Sequence, residues 1–224
     1  MYRTWSENIP EVSLSELKGL IFDCDGVLLN SRMANVAFYN ELRHMALLPP
    51  LSPEEEEFVH MATYAQALER IFMGMDSSRV AVLVEKLEGH FNYYDLLKVE
   101  DGLIPMLSWL HGFNFHMGIC TNRVSPLEDF LSLFDLEKYF SPLQTASNSR
   151  PKPSPDGLLK VLKKWRLQPG EVAYIGDSRV DEAAATAAGV PFWSFRNQDL
   201  SASLHFDDFS ELHGWLRLAV DKMP

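Results

Sequence analysis

The sequence predicts a doubly wound α/β fold, a parallel sheet with helices on both faces, carrying a separate helical module inserted early in the chain. Three observations predict it. Short apolar runs recur without polar alternation, as strands buried on both faces require. Amphipathic helical patterns separate the later runs. One long interval, from Gly26 to about Glu100, carries helical patterns and no strand.

The strand candidates are Leu20–Phe22, Phe113–Cys120, Val172–Ile175 and Val190–Phe195, with a weaker one around Leu143–Thr145. Leu158, Val161, Leu162 and Trp165 share one helical face, and Ser154-Pro155-Asp156 ahead of them reads as a capping serine and a first-turn proline. The run Ala183–Ala188 stops at Gly189. Inside the long interval, one helix holds Ala34, Ala37, Phe38, Leu42 and Met45 and ends at Pro49-Pro50. A second starts at Ser52-Pro53, where Ser52 and Glu55 fit a capping box. A third holds Val80, Leu83, Val84, Leu87, Phe91 and Tyr94. That much helix exceeds a single crossover, so residues 1–29 and 100–224 are expected to form the α/β core and residues 30–99 a helical domain. The acidic run Glu54–Glu57 reads as an exposed first turn favoured by the helix dipole, not as metal ligands. Residues 1–17 read as a short helix on the core.

The chain has 224 residues, 46% hydrophobic and 23% charged, an ordinary composition for a soluble globular protein. Its net charge of −11 argues against a nucleic-acid partner. No apolar run approaches the ~18 residues of a membrane helix, and the N-terminus lacks a basic flank before an apolar stretch. Cys24 and Cys120 each abut an apolar run, which suggests reduced structural thiols and a cytoplasmic setting; a disulfide between them is the alternative.

Ligands of open α/β sheets bind beyond the carboxyl ends of the strands. The first strand ends in Asp23-Cys24-Asp25-Gly26, the second in Thr121-Asn122-Arg123, and the Val172 strand in Gly176-Asp177-Ser178-Arg179-Val180-Asp181. Lys152 lies between the last two, just ahead of a helix start. Asp177 and Asp181 are spaced to face one point. Four aspartates on one rim repel unless a cation joins them, and oxygen ligands suit Mg²⁺. A carboxylate nucleophile, a second carboxyl for acid–base work, a lysine and a hydroxyl together make a receptor for a phosphoryl group. Each residue also has a plainer reading: turn former, helix cap, strand end or solvated lysine. Arg123 reads equally as a surface arginine or a substrate contact, with Arg32, Arg150 and Arg179 weaker candidates; His60, Thr63 and Tyr64 read as packing or exposure.

DCDGV, then Thr121-Asn122, then Lys152, then Gly176-Asp177-Ser178-Arg179-Val180-Asp181 resemble, in order, the four motifs of the haloacid dehalogenase superfamily. The helical insert resembles that family's cap domain, and the core its Rossmann-like sheet. The resemblance implies that Asp23 is nucleophile and metal ligand, and that Asp25 is the acid/base with its main-chain carbonyl on the metal. It implies that Thr121 and Asn122 bind phosphate and that Lys152 steadies nucleophile and phosphate; Arg123, beside them, is carried as a candidate substrate contact on its position alone. Asp177 would ligate Mg²⁺, and Asp181 would hold a metal-bound water or Lys152. The activity implied is Mg²⁺-dependent hydrolysis of a small phosphorylated metabolite through an aspartyl-phosphate, most like phosphoglycolate-phosphatase-type members. Three alternatives stand beside it. A β-phosphoglucomutase-type mutase usually carries Glu before the motif aspartate, where this chain has Gly176. A phosphonate hydrolase needs a cap lysine, for which only Lys86 and Lys98 are available. A non-catalytic binding protein of the same fold would have little reason to keep so many acids. Dehalogenation is disfavoured because Asp25 is present.

Overall fold

A computed structural model of the chain describes residues 16–62, 64–88, 96–123 and 127–220. Thr63, the side chain of His60, Phe91, Tyr94 and nearly all of the N-terminal segment lie outside the described residues. In chain order the elements are β1 (Gly19–Phe22), β2 (Leu29–Asn30), α1 (Arg32–Met45), α2 (Pro53–Met61), α3 (Tyr64–Ile71) and α4 (Ser77–Glu88). There follow β3 (Lys98–Val99), α5 (Leu103–Gly112), β4 (His116–Cys120), α6 (Leu127–Leu133), β5 (Leu143–Gln144) and α7 (Asp156–Trp165). The chain closes with β6 (Val172–Gly176), α8 (Arg179–Ala188), β7 (Phe192–Phe195), β8 (Leu204–Phe206) and α9 (Phe209–Val220).

The main sheet is parallel throughout, in the order β5-β4-β1-β6-β7-β8. The α/β class is thus as the sequence indicates. The chain extends the sheet from β1 through β4 to β5, then returns to the other side of β1 with β6. That reversal makes the carboxyl end of β1 a switch point, where open sheets bind ligands. Every residue of β1 and β6 is buried, which is why neither shows polar alternation. On one face Ile21, Val172 and Tyr174 pack with Leu158 and Val161 of α7 and Ala184 and Ala185 of α8. The small side chains of α8 let it lie close to the sheet, and Gly189, at φ +68°, ends it.

Chain contacts divide the molecule into two compact units, one running up to Leu29 and resuming at Val99, the other spanning Asn30–Lys98. The second unit is helical, with its own apolar cluster of Tyr39, Leu42, Val59, Ala67, Ile71 and Val80. The capping box of Ser52 and Glu55 opens α2. Its acidic first turn is met by arginines: Arg70 at 2.8 Å from Glu54, Arg43 at 2.8 Å from Glu55 and Arg32 at 2.7 Å from Glu57. The run is therefore a charged helix start. Among the described residues no helix is long and apolar enough to cross a membrane.

Several boundaries differ from the sequence reading. The interval from Gly26 to Glu100 does contain strand: β2 and β3 pair as a two-stranded ribbon. The second core strand starts at His116, not Phe113, because α5 runs on to Gly112 and the chain then turns through Asn114 at φ +56°. The edge strand β8 and the helix α3 were not read from the sequence. Pro155 occupies the N-cap of α7 itself, and Ser154 Oγ accepts from Asp156 N–H only at 3.4 Å. Both cysteines are free and buried, so no disulfide joins them. Burial pushes the Cys24 thiol well up and Cys120 to about 12, which makes both inert at neutral pH.

Candidate active site

The register of the sheet builds the site. Phe22 lies opposite Ile119 of β4 on one side and Ile175 of β6 on the other. Asp23, Thr121 and Asp177 therefore leave three adjacent strands at nearly the same height. Main-chain bonds hold the ends in line: Asp23 N–H donates to Ile175 O at 2.9 Å and Thr121 N–H to Gln144 O at 2.9 Å. Asp23, Thr121 and Lys152 are buried although each is polar, and Asp181 is sealed from solvent entirely.

Asp23, Asp177 and Asp181 each offer an oxygen within 4.8 Å of the others, the one such acidic cluster among the described residues. Two glycines make the crowding possible. At Gly26, φ is +81° and a Cβ would stand 2.1 Å from Asp177 Oδ2. At Gly176 a Cβ would stand 2.5 Å from the Asp181 Cβ. Gly26→Ala is expected to lower stability by at least about 1–2 kcal/mol through backbone strain alone and to displace Asp177. A urea unfolding midpoint equal to wild type would contradict this.

Lys152 Nζ is the hub. It lies 2.6 Å from Asp181 Oδ1 and 2.8 Å from Asp23 Oδ1, and donates to Tyr174 Oη at 3.1 Å. The Asp23 contact is an ion pair out of hydrogen-bond alignment, so Asp23 Oδ1 is buried with no hydrogen-bond donor among the described residues. Asp181 is fully engaged: Oδ1 accepts from Lys152 and from Tyr174 Oη at 2.7 Å, and Oδ2 accepts from the N–H of Ser178 at 3.1 Å and from its hydroxyl. The Asn122 carboxamide bonds to the main chain of Lys152, donating to Lys152 O at 3.0 Å and accepting from Lys152 N–H at 2.6 Å. Asp25 stands apart from the three clustered acids, in an ion pair with Arg123 at 2.8 Å. Arg32 is spent on Glu57, while Arg150, Arg179, Lys86 and Lys98 are exposed.

The charges explain the proton affinities. Burial raises Asp23, and the neighbouring Asp181 adds to that; Lys152 opposes both, leaving Asp23 at about 7. Burial, with Asp23 and Asp181 beside it, holds Asp177 well above the usual carboxylate range. Burial would raise Asp181 too, but the Lys152 charge and its hydrogen bonds outweigh this and keep it below its ordinary value. Burial would lower Lys152, yet Asp181 and Asp23 hold it above its ordinary value, so it remains an ammonium.

Two residues of this arrangement were missed in the sequence. Tyr174 reads as a core strand residue, yet a buried phenol needs a partner. Its hydroxyl serves Lys152, Asp181 and the Cys120 carbonyl at 2.9 Å. Asn197, in the loop after β7, donates to Asp177 O at 2.8 Å and so fixes the main chain of that acid. Tyr174→Phe is expected to cost about 1–3 kcal/mol in a denaturant titration, because a bond to a charged acceptor is lost in a dry site. A cost near zero would show that the hydroxyl is idle.

The sequence model of haloacid dehalogenase-like hydrolases matches residues 20–195. A haloacid dehalogenase superfamily hydrolase of subfamily IA from Geobacter sulfurreducens is similar in structure, with a TM-score of 0.76 and 34% identity over 90% of this chain and 97% of that one. A Streptococcus pneumoniae hydrolase of the haloacid dehalogenase-like family shares the fold, with a TM-score of 0.78 at 14% identity over 90% of this chain and 99% of that one. The phosphoglycolate phosphatase of Salmonella typhi is 28% identical over 204 residues, 80% of this chain and 81% of its own length. The matched span contains all three clustered acids, the lysine that binds two of them and the strands that carry them; this chain belongs to the haloacid dehalogenase-like hydrolases.

Proposed function

We propose that the chain is a Mg²⁺-dependent phosphatase that hydrolyses a small phosphorylated metabolite by way of a phosphorylated Asp23. The observation that carries this reading is the buried acid cluster with a single ammonium on it: three carboxylates and Lys152, whose Nζ is 2.8 Å from Asp23. With all three acids ionised one lysine cannot neutralise them, and Arg123 is taken up by Asp25, so the ionised cluster is about two charges short. A hard dication fits that deficit and the all-oxygen donor set of the clustered acids. Asp23, Asp177 and the Asp25 main-chain carbonyl would hold it, with Asp181 behind them. Bound there, Mg²⁺ supplies positive charge that screens the phosphoryl oxygens.

The chain's own groups do the rest. A carboxylate oxygen of Asp23 attacks phosphorus while the bond from phosphorus to the ester oxygen breaks. Asp25 gives its proton to the departing oxygen and later takes one from the water that releases phosphate. The Thr121 hydroxyl and main-chain N–H groups after Asp23 hold the non-bridging oxygens. Lys152, pinned by Asp181 and Tyr174, offsets the negative charge of nucleophile and phosphate. Asn122 acts through Lys152, whose main chain it fixes. The helical unit is assigned to substrate selection, as the cap domain of this chain.

Phosphoglycolate is the first substrate to test, since relatives such as the 28% identical Salmonella typhi protein bear the name phosphoglycolate phosphatase. Free phosphate is measured across a panel of phosphorylated metabolites, with Mg²⁺ and with chelator. Release that needs Mg²⁺ is expected. Failure to release phosphate from any phosphomonoester would overturn the reading.

A further inference from the structure

Arg123 has no part in the steps above, yet it makes the most specific contact to Asp25. Its guanidinium lies side-on to that carboxylate, Nη2 donating to Oδ1 at 2.8 Å and Nε to Oδ2 at 3.2 Å. One rigid planar fork thus grips both oxygens. The fork is itself braced. The Arg123 N–H donates to Thr121 Oγ1 at 3.2 Å, and the guanidinium lies 5.9 Å from the centre of the Phe130 ring. The Arg123 side chain is 11% exposed against 38% for Asp25, so the buried partner holds the exposed one. The backbone under Asp25 is fixed as well, by the bond from Gly26 N–H to Leu29 O at 2.9 Å. A carboxyl group that hands a proton to one oxygen and takes one from another depends on orientation. A solvent-facing aspartate would otherwise rotate freely about two torsions.

We infer that Arg123 is a positioning residue for proton transfer by Asp25, and not a ligand of the substrate's phosphoryl group. The inference rests on the phosphatase reading and deepens it. In the first step the Asp23–phosphorus bond forms, the phosphorus–ester oxygen bond breaks, and a proton carried by Asp25 on a lone pair that Arg123 does not occupy moves to the ester oxygen. An alkoxide needs that proton to depart; a dinitrophenolate leaves without it. Misplacing Asp25 therefore slows this first step, read as kcat/KM, for alkyl phosphates and spares it for activated aryl phosphates, while the later attack of water slows for both. A residue that binds phosphate would affect both alike.

The test compares kcat/KM for wild type, Arg123→Gln, Arg123→Lys, Asp25→Asn and the Arg123→Gln/Asp25→Asn double variant. Substrates are a series of alkyl phosphates and dinitrophenyl phosphate, and competitive inhibition by inorganic phosphate reports binding. Arg123→Gln is expected to lose about 100-fold or more on alkyl phosphates, the range of general acid–base catalysis. It keeps near-wild-type kcat/KM on the dinitrophenyl ester and an unchanged inhibition constant for phosphate. Arg123→Lys, which keeps one charged donor, restores part of the loss. In the Asp25→Asn background Arg123→Gln costs nothing further, since both act at one step. Equal losses on every leaving group with weaker phosphate inhibition would overturn the inference and make Arg123 a phosphate ligand. So would the same loss with and without Asp25. A wild-type protein inert toward every ester would instead remove the phosphatase reading, and the inference with it.

Discussion

Asp23→Asn abolishes phosphate release, by about 10⁴-fold or more, and at the same time makes the metal-free protein harder to melt. The first half follows because an amide cannot attack phosphorus and no other described carboxylate sits against Lys152 with an uncommitted oxygen. Asp181 is the other acid on that lysine, and hydrogen bonds occupy both of its oxygens. The second half follows from burial. Asp23 is held at about 7 because its charged form is dry and faces Asp181. Above that pH the wild type carries the strain of ionisation, and the neutral amide does not. Activity and stability should move in opposite directions, as expected where a site is built for function. The measurement is phosphate release alongside thermal unfolding in chelator at pH 8. A variant that keeps activity, or loses it together with a fall in Tm, would count against the assignment.

Mg²⁺ is expected to raise Tm at pH 8 far more than at pH 5. Asp23 and Asp177 both titrate above an unfolded aspartate, so between about pH 4 and 7 the folded state binds more protons than the unfolded one. Metal-free stability from these groups therefore falls as pH rises through that window. Asp181 works the other way: its lowered proton affinity contributes stability at neutral pH that is lost only as pH falls below the ordinary aspartate value. The two effects occupy separate windows and do not mask each other. Mg²⁺ replaces the protons on Asp23 and Asp177, so it binds more tightly as they leave. At about 100 times its dissociation constant it adds about 2.7 kcal/mol, or roughly 5–10 °C in a chain of this size. Chelator reverses the shift, and Asp177→Asn removes it. A Tm gain equal at both pH values would mean that the cation binds elsewhere.

The acids and Thr121 were legible in the sequence because each follows the end of an apolar run, and such ends converge in a parallel sheet whatever the details of the chain. Lys152 was legible only by its place before a helix start. What joins these groups was less so. Tyr174 sits in mid-strand among residues chosen for burial, and only its hydroxyl, seen in three dimensions, ties it to Lys152 and Asp181. Asn197 reaches the Asp177 carbonyl from the loop after β7, and no spacing in the sequence signals that contact. Arg123 was read as either a substrate contact or a surface residue, and no spacing in the sequence signals its grip on Asp25. The short strands β2, β3 and β8 escaped for a simpler reason: two or three residues are too few to show a period.

A crystal structure with Mg²⁺ and beryllium fluoride, a mimic of the transferring phosphoryl group, tests the central claim most directly. The account predicts beryllium bonded to a carboxylate oxygen of Asp23, Mg²⁺ shared by Asp23 and Asp177, and Lys152 against the fluorides. Beryllium on any other residue, or Mg²⁺ away from Asp23 and Asp177, would contradict it.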